Sequence, residues 1–104
     1  MRFAIFYIQG PAWVQGKSIY EQPAEDHDKW ALDLLEANKL LLAGPFSDDS
    51  GGLVVLEVSD EAEAQDLFAH DPGLLSGVFR ATLHPWHIVY DKYPQAVRDS
   101  VHIS

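Results

Sequence analysis

His27 and Asp71 are the two residues of this chain whose types and surroundings suit chemistry best. The histidine stands at the front of an amphipathic segment and the aspartate in an Asp-Pro step that closes a second one. An imidazole and a carboxylate brought together form a general acid–base dyad. The carboxylate selects the ring tautomer and stabilises the imidazolium that forms when the ring takes a proton. Each residue also has an ordinary reading. A histidine on an apolar helix face is most often a satisfied structural group, and Asp-Pro is a common turn initiator whose carboxylate binds nearby backbone amides. Asp71→Asn separates the two at this level: loss of stability marks a structural carboxylate, whereas retained or raised stability marks a functional one.

Four more positions are candidate substrate contacts. Gly44-Pro45 allows a backbone to approach a ligand, though a strand-ending turn explains the dipeptide equally well. Phe46 follows it. Tyr7 either lines a pocket or fills the core or a subunit interface. Five histidines, among them His70, His84 and His87, invite a metal reading. Residues three apart on a regular strand point to opposite faces, however, so His84 and His87 would meet on one ion only across a bulge, and no metal site is assigned. Phosphate-cradling loops, nucleophile elbows and zinc-protease helices are absent, and no cofactor is expected.

These residues need elements to hold them. Residues 2–9 are aromatic and β-branched and stop at Gly10-Pro11, which reads as a buried strand. A loop to Gln22 leads into a helix over 23–38, with Pro23 and acids in its first turn. His27, Trp30, Ala31, Leu34 and Leu35 share one face, and Asp28, Lys29, Asp33 and Glu36 lie largely off it. Strands are expected over 40–46 and 53–58, joined as a hairpin through 47–52. A second helix is capped by Ser59 and ends near His70, before Pro72. Residues 73–77 form a connection, and a final strand runs over 78–89, interrupted by Pro85 at an edge or bulge.

The order strand, helix, strand, strand, helix, strand predicts an α+β, ferredoxin-like βαββαβ domain with a four-stranded antiparallel sheet and both helices on one face. The strands carry apolar residues at both parities, as in Ile5-Phe6-Tyr7-Ile8 and Leu53-Val54-Val55-Leu56. Helices cover one face only, so a second subunit packed sheet to sheet is expected over the other.

Composition sets the outer bounds. The 104 residues suffice for one domain, expected over 1–90, with a polar tail over 91–104 that could pack on a partner subunit. Sixteen acidic against seven basic residues give a net charge of −9, which disfavours nucleic acid as a partner. No stretch reaches membrane-spanning length, the N-terminal apolar run is too short for a signal peptide, and there is no cysteine, so a cytoplasmic protein without disulfides is expected.

The N-terminal strand, the His27 helix, Leu41-Leu42-Ala43-Gly44-Pro45-Phe46, Gly51-Gly52, Ala69-His70-Asp71-Pro72 and Pro85-Trp86 together resemble the YciI-like (YCII-related) family. The resemblance implies a dimeric α/β barrel and a site built on one histidine and one aspartate, here His27 and Asp71. One branch of that family removes chloride from a chlorinated hydroxyhydroquinone, and the wider superfamily holds muconolactone isomerases and cofactor-free monooxygenases. The expected activity is proton transfer coupled to isomerisation or elimination on a small aromatic or lactone-like metabolite. A noncatalytic ligand-binding or protein-interaction dimer and a cofactor-free quinol monooxygenase are the alternatives. Gly73 departs from the family pattern, where a bulky aromatic residue commonly follows Asp-Pro, and is expected to enlarge or loosen the pocket rim.

Overall fold

A computed structural model describes residues 1–93. Its sheet has four strands in the order β2-β3-β1-β4, where β1 is Arg2–Gln9, β2 Leu40–Pro45, β3 Gly51–Glu57 and β4 Phe79–Pro85. Every neighbouring pair is antiparallel. Helix α1 (Glu25–Glu36) links β1 to β2, and α2 (Glu61–Ala69) with the short α3 (Pro72–Leu75) links β3 to β4. This is the α+β, ferredoxin-like arrangement.

Strand alternation sorts β1 into two faces. Phe3, Ile5 and Tyr7 are buried toward the helices with Val54, Leu56 and Phe79, whereas Phe6 and Ile8 lie half exposed on the opposite face. Phe3, Ile5 and Leu56 are fully buried, each contributing about 1.5–3 kcal/mol of apolar transfer energy.

Helix α1 stops at a Schellman turn. Asn38 takes a left-handed conformation (φ 61°), its N–H bonds the Leu35 carbonyl and the Lys39 N–H bonds that of Leu34. The chain thereby reverses, and β2 runs back along α1.

Several boundaries differ from expectation. Helix α1 is shorter by a turn in total, since Ala24 occupies the cap and Ala37 already leaves helical geometry. Asp60, not Ser59, caps α2: its carboxylate accepts from the Glu63 N–H at 2.9 Å, while the Glu63 side chain turns back to the Ser59 N–H. Residues 72–75 form a helical turn rather than an irregular connection, because Pro72 fits the first helical position and Asp71 caps it. Strand β4 ends at Pro85, whose missing N–H suits an edge strand paired only with β1. The tail expected over 91–104 to pack on a partner lies, from residue 94 onward, outside the described residues. Among the described residues no helix is long and apolar enough to cross a membrane.

Candidate functional site

Three elements bring the site together. Strand alternation turns Tyr7 toward the helices, α1 carries His27 on the same side, and the α2–α3 junction delivers Asp71 beneath them. Asp71 is completely buried. Its Oδ1 lies 2.7 Å from His27 Nδ1 and accepts from the Gly73 N–H at 2.9 Å, and its Oδ2 accepts from the Tyr7 hydroxyl at 2.6 Å. A buried carboxylate requires such partners, since its charge has been taken out of water.

The arrangement assigns the histidine proton. Tyr7 and Gly73 both donate to Asp71, and a carboxylate that also accepts from His27 needs the hydrogen on Nδ1. The Nε2 lone pair is then free, and no hydrogen bond from the described residues occupies it. The ring cannot swing easily: Trp30 stacks on it (centroids 5.6 Å, planes 23° apart), and Tyr7 and Phe79 close in at 5.3 Å each. Trp30 is itself held by its indole N–H on the Leu67 carbonyl.

His27 forms part of the wall of a cavity of about 680 Å³ between α1, the β2–β3 hairpin and the Ile19–Gln22 segment. That volume falls within the usual range for small-molecule sites. Tyr7, Gly44 and Pro45 also line it. Phe46 does not; its ring packs against Phe6 at 5.6 Å instead.

Tyr7 therefore does more than line a pocket. Burial raises its phenol pKa far above 10, and the adjacent Asp71 charge and hydrogen bond push it further in the same direction, so the hydroxyl stays a donor at any working pH. Gly73 corrects an expectation. It lies behind the histidine, away from the cavity rim, and a Cβ there would sit 3.1 Å from His27 Cβ and Cγ and 3.0 Å from Phe79 Cδ2. Its bareness lets the imidazole lie close over the α3 turn.

Sequence reasoning missed Gln22 and Asp49. Gln22 is buried, with its amide bonded to the N–H and carbonyl of Val14 and to the carbonyls of Lys17 and Ser18, which folds the Gly10–Gln22 loop on itself. Asp49 at the hairpin tip accepts from the Ile19 N–H and so clips that loop beside the cavity. Isolated amide and carboxylate side chains in polar loops carry no periodicity, so no pattern announced them. Two of the other histidines have local partners: His84 bonds Thr82 and His70 bonds the Asp66 carbonyl. No group of three metal-ligating side chains occurs among the described residues.

The profile of the YCII-related domain family matches residues 1–87, and the chain belongs to that family. It is 40% identical over 58 residues to the uncharacterized protein YjpA of Bacillus subtilis (strain 168), a match covering 55% of this chain and 68% of that protein. Its fold resembles that of 5-chloro-2-hydroxyhydroquinone dehydrochlorinase (TftG) from Burkholderia phenoliruptrix AC1100, solved in complex with 2,5-dihydroxybenzoquinone. The TM-score is 0.60 at 22% identity, over 86% of this chain and 96% of that one.

Proposed function

We propose that this protein is a cofactor-free general acid–base enzyme acting on a small hydroxylated aromatic, quinol-like or lactone-like metabolite. His27 Nε2 takes the proton of a substrate hydroxyl or of an acidic carbon, and Asp71 holds the ring and stabilises the imidazolium. Electron density released by that proton loss then expels a leaving group or shifts a double bond, and His27 returns the proton where the product needs it. The observation that carries this reading is the histidine itself: its Nδ1 is committed to a fully buried carboxylate, its other nitrogen has no partner among the described residues, and the residue lines a cavity. The dehydrochlorinase of similar fold adds support for elimination from a hydroxylated ring. The test is a turnover screen of halogenated and unhalogenated hydroquinones and lactones. His27→Ala and Asp71→Asn should each lower kcat by at least a hundredfold on any substrate found; full turnover in both contradicts the mechanism.

The three bonds of Asp71 also favour a second reading, a noncatalytic ligand-binding protein in which the carboxylate serves only to join β1, α1 and α3. Ligands that bind and are recovered unchanged under every condition would support it.

A homodimer is part of the same proposal. Phe6 and Ile8 leave nearly half their surface exposed on the helix-free sheet face, where a second copy packed sheet to sheet would bury them. Sedimentation should give a dimer, converted to monomer by Phe6→Glu; a monomeric wild type contradicts it. A cytoplasmic location fits the acidic, cysteine-free sequence.

A further inference from the structure

The wall that α1 gives to the cavity has a direction. Ala24, His27, Asp28, Ala31, Leu32 and Leu35 recur at helical spacing and line it together. His27 and Asp28 form one end of the stripe and apolar side chains the rest. From His27 to Leu35 the helix rises about 12 Å. Leu32 and Leu35 are 58% and 47% exposed, and Leu42 across the cavity is 60% exposed, so this length of wall awaits an apolar occupant.

Charge narrows the choice. Among the described residues no lysine or arginine lines the cavity, and Lys29 and Lys39 are engaged by Asp33 and Glu63 elsewhere. The carboxylate at the cavity wall is Asp28, adjacent in sequence to the free imidazole. The positive end of α1 offers no anion site either, because Glu25, Asp26 and Asp28 crowd its first turn.

From this geometry we propose that the site takes an uncharged, elongated apolar molecule with a phenolic or enolic head. The head lies between His27 and Asp28, its O–H donating to Nε2, and the body runs along Ala31, Leu32 and Leu35. Carboxylates and phosphates are rejected by Asp28 and find no cation to offset their desolvation. The proposal rests on the reading of His27 as the ligand-facing group and adds the ligand's charge and length. The apolar wall is assigned to a small molecule, not to a second copy, because it is continuous with His27 and borders a volume of ligand size.

Calorimetry with phenol, 4-propylphenol, 4-hexylphenol and 4-hexylbenzoate tests it on the wild type and on His27→Ala, Asp28→Asn and Leu32→Asp. Affinity should rise about fourfold per methylene, the equivalent of about 0.8 kcal/mol. Leu32→Asp should flatten that rise, and the benzoate, ionised at neutral pH, should bind at least tenfold more weakly than the phenol of equal length. Asp28→Asn should narrow the gap. Equal or tighter binding of the benzoate overturns the charge assignment, and alkylphenols binding no better than phenol overturn the length assignment, while the reading of His27 stands in both cases. Affinities unchanged in His27→Ala overturn the underlying reading itself. If Leu32→Asp changes the oligomeric state and not the binding series, the wall is a contact between copies and the proposal fails.

Discussion

Tyr7 donates its hydroxyl, at 2.6 Å, to the Asp71 oxygen that the imidazole leaves free, so the catalytic pair proposed here is anchored from the sheet as well as from the helix. The carboxylate is held from both oxygens and cannot rotate without breaking a bond to a buried partner. Fixed in this way, it fixes the ring above it.

Removing that anchor should be costly. Tyr7→Phe leaves Asp71 Oδ2 buried without a donor, and unfolding by denaturant should show a loss of about 1–3 kcal/mol. An unchanged midpoint would mean that the bond carries no net stability.

The same tyrosine gives stability an alkaline limit. Its folded pKa is raised above the ordinary 10.0, so both folded and unfolded states keep the proton below that pH and its contribution is fully present there. Above it the unfolded chain ionises first and stability falls, by about 1.4 kcal/mol per pH unit for one proton. The fall continues until the native phenol itself ionises. Stability curves of wild type and Tyr7→Phe should therefore converge as pH rises above 10. Parallel curves would show that Tyr7 titrates normally in the folded protein.

Gly73→Ala tests the close approach behind the histidine. The new methyl meets His27 and Phe79 at 3.0–3.1 Å, and the imidazole, packed between Trp30, Tyr7 and Phe79, has little room to yield. A loss of about 1–3 kcal/mol is expected, with a chemical-shift change at His27. A gain in stability, from alanine's better helix propensity, would show that the ring moves freely.

For Asp71→Asn the structure removes the contrast that the sequence suggested. A carboxylate that caps α3, holds Tyr7 and holds His27 is structural whether or not it is also functional. The amide must present its NH₂ to one of those donors, and a loss of about 1–3 kcal/mol is expected, the cost of leaving a buried donor without an acceptor. Only turnover and the state of the ring then separate the two roles. Unchanged stability would mean that Asp71 does not accept all three bonds.

Much of this was legible in the sequence. Runs of aromatic and β-branched residues bounded by turn signals placed β1 and β3, the first-turn acids placed α1, and the order of elements indicated the sheet. His27 could be assigned to the inner face by helical spacing, and the family pattern paired it with Asp71. The Tyr7 bond could not be read, because alternation says which face a side chain takes and nothing about the partner 64 residues away. Asp28 was read as lying off the buried face, yet it lines the cavity, because the stripe facing the cavity is wider than the stripe packed on the sheet. Gly73 was misread for a similar reason: its role depends on what the fold lays against it.

The ¹⁵N spectrum of the His27 ring, recorded with the imidazole neutral in wild type and in Asp71→Asn, tests the proposed dyad most directly. The wild-type ring should be protonated at Nδ1 with a bare Nε2, and the variant should show a mixed or reversed tautomer. A wild-type ring protonated at Nε2 would leave no lone pair for a substrate proton and would contradict it.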